Sequence, residues 1–171
     1  MTGTARAGSL RWWAGKIRQL RTHVRAHVAT PERGALETWV TPAQLEVFER
    51  MHVADRRHGL DVVATLRAAG VAEPDALVAG LLHDAGKGDV GVLPRIAYSL
   101  GQAYGPWVTR LAGSFPGMAA DLERLATHPE RSAILAAAAG CSPRSVELIR
   151  WQEAPRDPEF GERLRLADEA N

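Results

Sequence analysis

Residues 76–82, Ala-Leu-Val-Ala-Gly-Leu-Leu, form an unbroken apolar run that ends in His83-Asp84, and this junction constrains the fold more than any other stretch of the chain. The run follows Pro74, which suits the first turn of a helix, so it reads as a helix with an apolar core face. A histidine and an aspartate in the last turn of a buried helix are costly unless something partners them. Neutral imidazole and carboxylate are also the side chains that suit a divalent transition ion, and adjacent positions can aim both at one point. The doublet therefore reads as half of a metal site. Gly86 and Gly88 stop the helix and let backbone approach a ligand closely, and Lys87 between them is placed to meet an anion. The plainer reading of Lys87 is a solvated cation near a helix C-terminus.

Elsewhere proline and glycine punctuate short apolar segments at helical spacing, which predicts an all-α fold. Thr41-Pro42 opens a helix carrying Leu45, Phe48 and Met51. His58 stands ahead of Leu60, Val62, Val63 and Leu66 in a helix that stops near Ala69-Gly70. Leu93, Ile96 and Leu100 suggest one further helix, Trp107, Val108 and Leu111 another, and Leu122 and Leu125 a third, shorter piece. In this stretch Tyr98, Tyr104 and Trp107 read as core or pocket wall. His128-Pro129 starts a helix closed by Gly140, Ser142-Pro143 caps the next, and a last apolar stripe runs through Phe160, Leu164 and Ala167.

The chain has 171 residues, 46% of them hydrophobic, enough for one domain with a sizeable core. Residues 1–41 read as an N-terminal helical arm and residues 42–171 as the domain proper. The net charge of +1 hides an asymmetry, because Arg6, Arg11, Lys16, Arg18, Arg21 and Arg25 precede any acid and the rest of the chain is net acidic. A nucleic-acid protein spreads its basic residues over the domain body, so that role is not expected. In the arm, Leu10, Trp13, Ile17, Leu20, Val24 and Val28 make one helical stripe with arginines beside it. Docking on its own domain is the expectation for residues 1–31, and contact with a membrane surface is the alternative. His23 and His27 stand four apart among the arginines with no third ligand nearby, and read as solvated or partly packed. Cys141 is the single cysteine and reads as a small buried apolar residue in a reducing compartment. No apolar stretch reaches the roughly 20 residues that span a bilayer, and the arm lacks the apolar block of a secretory signal. The expected location is cytoplasmic, at most peripheral to a membrane.

The last stripe also carries Asp168, a carboxylate where an apolar residue is expected, although an acid so close to Asn171 could equally be solvated at a frayed end. Taken in order, His58, His83-Asp84 and Asp168 resemble the histidine, histidine-aspartate, aspartate signature of the HD-domain metal-dependent phosphohydrolases. Arg57-His58-Gly59-Leu60-Asp61-Val62 resembles that family's first-histidine helix, Leu81-Leu82-His83-Asp84-Ala85-Gly86-Lys87 its central motif, and Leu166-Ala167-Asp168 its closing motif. The resemblance covers about residues 42–171 and implies a compact HD-domain-like helical bundle, in which His58, His83, Asp84 and Asp168 hold one divalent ion.

Such a mixed set suits manganese, iron(II), cobalt or zinc better than magnesium, which prefers oxygen. A bound ion lowers the pKa of its water and polarises a phosphoryl oxygen. What the resemblance implies is therefore hydrolysis of a nucleotide, a cyclic nucleotide or a related phosphate ester, with Lys87 and Arg57 or Arg56 neutralising phosphate charge. The two arginines could equally be surface charge. His128, in His128-Pro129-Glu130-Arg131-Ser132-Ala133, resembles a ligand of the family's two-metal branch. Where that branch has a further histidine this chain has Ile149-Arg150-Trp151-Gln152-Glu153, so a second ion is not expected. His128 then reads as a proton donor to the leaving oxygen, a phosphate ligand or a helix cap. Two alternatives remain open: a non-catalytic nucleotide- or metal-binding signalling module with a degenerate site, and a di-iron oxygenase, against which the missing histidine argues. Homo-oligomer formation is compatible with all three.

Overall fold

The computed structural model describes residues 27–171, and those residues are all-helical, with no strand among them. The arm's stripe from Leu10 to Val24, and His23, lie outside the described residues. In chain order the helices are α1 (Thr30–Leu36), α2 (Pro42–Arg50), α3 (Val53–Ala68), α4 (Pro74–Leu82), α5 (Val92–Tyr104), α6 (Pro106–Gly113), α7 (Met118–Ala126), α8 (His128–Ala138), α9 (Pro143–Arg150) and α10 (Gly161–Ala170). A single 3-10 turn, Ala85–Lys87, follows α4. No described helix is long and apolar enough to cross a membrane. The chain divides into two units: residues 27–89 with Thr127–Asn171, and Val90–Ala126.

The helix boundaries follow from local chemistry. Proline sits in the first turn of α1, α2, α4, α6, α8 and α9, where its missing N–H costs nothing. The Thr41 hydroxyl accepts from the Gln44 backbone while the Gln44 side chain accepts from the Thr41 N–H, closing both ends of a capping box. α3 starts earlier than the apolar pattern implied. The His52 Nδ1 accepts from the Ala54 N–H, so Val53 opens the helix and His58 stands in its second turn. α3 stops at a reversal in which Val71 N–H reaches Leu66 O and Gly70 N–H reaches Arg67 O, with Gly70 at φ 80°.

In the first unit α4 is the centre. All seven residues 76–82 are buried, so this helix is apolar on every side, and α2, α3, α9 and α10 pack against it. Phe48, Val62, Leu66, Leu81, Leu82, Ile149 and Leu164 fill the surrounding core. Leu36 and Val40, which lie ahead of residue 42, belong to that core as well. α3 and α4 cross closely because Gly59 has no side chain, and a Cβ there would stand 2.5 Å from the Leu81 carbonyl oxygen. This crossing brings the residue next to Gly59, which is His58, towards the end of α4.

The second unit is different in kind. α5, α6 and α7 contact one another, with Val90, Pro94, Leu122 and Leu125 its buried apolar residues. Trp107 is 60% and Tyr104 47% exposed, so neither is the core or pocket wall that the sequence suggested. The helices fall where the apolar spacing predicts, but spacing does not say which way a stripe faces.

Candidate metal centre

The first unit assembles a cluster of histidine and carboxylate side chains from separate elements. α3 supplies His58, the end of α4 supplies His83 and Asp84, and α10 supplies Asp168. One ligand atom each from His58, His83 and Asp168 lies within 4.8 Å of the other two, a group that could hold a metal ion. The His58 Nε2–H donates to Asp168 Oδ1 at 2.7 Å, and His83 Nε2 stands 3.4 Å from the same oxygen. Asp168 is therefore no frayed surface acid. Leu164 and Ala167 bury the helix that carries it, and the Asn171 side chain donates to Thr65 Oγ1 on α3 at 2.9 Å.

His83 is the most constrained member. Its Nδ1–H donates to the Gly80 carbonyl at 2.9 Å, which fixes the tautomer and turns the Nε2 lone pair into the cluster. That Nε2 is buried and has no hydrogen-bond partner, although Asp84 Oδ1 lies 3.5 Å away and Asp168 Oδ1 3.4 Å away. A lone pair facing two carboxylates out of contact with water is unfavourable, and a cation between them removes the conflict. A divalent ion fits this donor set, and a proton on His83 is the substitute when no ion is bound. Burial pushes the His83 imidazolium pKa down, but the Asp84 and Asp168 charges outweigh it and the pKa is pushed up to about 9.

Asp84 occupies a different place from the other three. Its Oδ2 accepts from Lys87 Nζ at 2.5 Å, and its Oδ1 faces both His83 Nε2 and His128 Nε2, the latter at 3.4 Å. The carboxylate is 2% exposed. Burial disfavours its charge, but His83, Lys87, His128 and His58 around it hold its pKa well below the usual carboxylate range. Asp168 is lowered in the same way, chiefly by the His58 contact acting against burial. Asp84 thus joins the candidate metal group to His128, which α8 presents from its first turn.

Lys87 and Arg57 are not placed alike. Lys87 is paired with the doublet itself. Burial works against its charge, but Asp84 first and Asp55 second raise its pKa. Arg57 gives its guanidinium to Glu32 Oε1 at 2.6 Å and to Asp61 Oδ1 at 2.8 Å, which ties α1 to α3. Arg56 has a buried Nε without a partner.

Three residues that the sequence reading passed over support the cluster. Gln152, 6% exposed, donates from its side-chain nitrogen to the His83 carbonyl at 3.1 Å and so holds the doublet's backbone. Ser132 Oγ accepts from the Gly86 N–H at 2.7 Å. A Cβ on Gly86 would stand 2.4 Å from the His128 carbonyl oxygen, so that glycine admits α8 rather than a ligand. Asp55 is 4% exposed, one helical turn before His58. Its signal was available: an acid three residues before a candidate ligand, on the same helix face.

No family model, no curated protein and no solved structure matches the chain.

Proposed function

We propose that this protein is a metal-dependent phosphohydrolase acting on a nucleotide, a cyclic nucleotide or a related phosphate ester, with His58, His83, Asp84 and Asp168 holding one divalent ion. The observation that carries the reading is the buried, unpartnered His83 Nε2 aimed between two carboxylates. The mixed nitrogen and oxygen donors favour manganese, iron(II), cobalt or zinc over magnesium. When bound, such an ion supplies an acidified water and withdraws charge from a phosphoryl oxygen.

The protein's own groups do the rest. Gly80 holds the His83 tautomer, and Gln152 holds the backbone of the doublet. Lys87, whose Nζ is paired with Asp84 Oδ2, is the cation beside the doublet that would meet the phosphoryl group, its fixed charge opposing the negative charge that builds during displacement. His128, beside Asp84, donates a proton to the leaving oxygen. Arg57 is left out of this scheme, because Glu32 and Asp61 already hold its fork.

The test pairs elemental analysis of the purified protein with turnover assays on nucleoside phosphates, cyclic nucleotides and simple phosphodiesters in the presence of each metal. Bound metal and turnover are expected, and Asp84→Asn is expected to abolish turnover while helix content stays unchanged. A wild type that takes up none of these ions and turns over none of these esters overturns the proposal. A second reading, a binding module without efficient chemistry, is favoured by the close Lys87–Asp84 pair, which already satisfies the doublet. Calorimetric binding of nucleotides with no turnover would select it.

A further inference from the structure

In the unit Val90–Ala126, α5 and α6 carry their apolar stripes on the outside. On α5, Leu93, Ile96 and Tyr104 recur at helical spacing and are 72%, 40% and 47% exposed. Trp107, Leu111 and Phe115 follow at intervals of four along α6 and the turn after it, at 60%, 61% and 62% exposed. A helix in a globular unit turns such a stripe inward, so two stripes facing water mark a surface that is covered by something else. The Trp107 indole N–H donates to the Tyr104 carbonyl at 2.9 Å, so the ring's one polar group is satisfied and the rest of it is apolar contact area.

Charge selects the partner. Residues 90–120 contain no aspartate or glutamate, while Arg95 and Arg110 lie within the stretch, and exposed Arg110 shares a helix face with Trp107 and Leu111. A second copy docking through the same face of α5 and α6 would set Arg95 and Arg110 against their counterparts with no acid on either helix, placing like charges across the contact. The basic arm, with Arg6, Arg11, Lys16, Arg18, Arg21 and Arg25 and no acid, has the same defect as an occupant. An anionic phospholipid surface supplies the opposite charge together with an apolar layer for the aromatic and aliphatic side chains.

We infer that the outer face of α5 and α6 is a peripheral docking surface for an anionic bilayer, with Trp107, Leu111 and Phe115 entering the headgroup boundary and Arg110 meeting the phosphates. This surface does not depend on the metal centre.

The test uses the full chain and vesicles of phosphatidylcholine alone or mixed with phosphatidylglycerol. Sedimentation with the mixed vesicles, weakening as salt is raised, and little with phosphatidylcholine, is the expected result. The triple variant Trp107→Ser/Leu111→Ser/Phe115→Ser changes exposed positions only and is expected to lower partitioning by roughly tenfold or more. Arg110→Glu is a milder second variant and is expected to weaken partitioning to the mixed vesicles. A wild type that stays in the supernatant overturns the inference. So does a triple variant that partitions like wild type, which would assign the binding to the arm. A concentration-dependent dimer that the same variant dissolves, without vesicle binding, would show a second copy as the occupant and overturn it as well.

Discussion

The two units solve opposite problems. The unit around α4 takes His83, Asp84 and His128 out of water and surrounds them with one another: Asp84 is 2% exposed with Lys87, His83 and His128 at its two oxygens. The unit Val90–Ala126 leaves large apolar side chains in water, Trp107 and Phe115 among them. Each arrangement is unfavourable taken alone. A buried charge needs a counter-charge, and an exposed apolar stripe needs a partner surface. The first unit supplies most of its own compensation, leaving the His83 Nε2 and the Arg56 Nε as its buried side-chain atoms without a hydrogen bond among the described residues. Among the described residues the outer stripes of α5 and α6 have no such cover, which is why the first unit points to a small ion and the second to an extended surface.

The sharpest way to break this contrast is to truncate one leucine in each unit. Leu82 is fully buried, so Leu82→Ala should cost about 2–5 kcal/mol in chemical denaturation. Leu111→Ala, at an exposed position, should change stability by less than about 0.5 kcal/mol. Equal losses at the two sites would mean that α6 is packed as a core helix is. Next in size is removal of a cluster carboxylate. Asp168→Asn should weaken manganese or zinc binding by on the order of 100-fold in calorimetry, whereas Trp107→Ser should leave it unchanged.

Acidity separates the ion-free and ion-loaded forms. In the metal-stripped protein the His83 pKa is raised from 6.5 to about 9, so its contribution is fully present below 6.5 and lost as pH rises through 9. Asp84 and Asp168 are shifted down, so theirs is present above the ordinary value of 3.8 and lost as pH falls below it. Thermal melts in chelator should therefore show greatest stability between about pH 4 and 6.5, with a decline on the order of 2 kcal/mol towards pH 9. Added metal should flatten or reverse the alkaline decline, because the ion binds the neutral imidazole. A chelated protein that gains stability from pH 6.5 to 9 would count against the His83 environment described above. The smallest expected effect is at Gln152. Gln152→Ala removes one bond to the doublet's backbone and should weaken metal binding by about tenfold, with the helical content intact.

How much of this was legible beforehand differs residue by residue. The helix starts at Pro42, Pro74, Pro129 and Pro143 could be read because proline and cap chemistry act within one turn. The apolar run before His83 announced a buried helix for the same local reason. Nothing within a turn of Ser132 marks it as buried, whereas Asp55 carries a local mark, its place three residues before His58 on the same helix face. Gln152 lies in the segment Ile149-Arg150-Trp151-Gln152-Glu153, which the sequence marks only by its lack of a histidine. Gly86 was read as room for a ligand, and in the fold that room is filled by the first turn of α8.

The sequence by itself determined that residues 27–171 are helical, where most of their helices begin and stop, and that a histidine and an aspartate end the most apolar of them, since each depends on interactions a few residues long. Only the tertiary structure decided that His58 and Asp168, 110 residues apart, share a hydrogen bond, that Lys87 faces Asp84, and that the stripes of α5 and α6 look outward. Periodicity sets which residues share a face. The direction that face takes, and what meets it, is set by packing between distant segments, through close approaches such as Gly59 against Leu81 that no local pattern encodes.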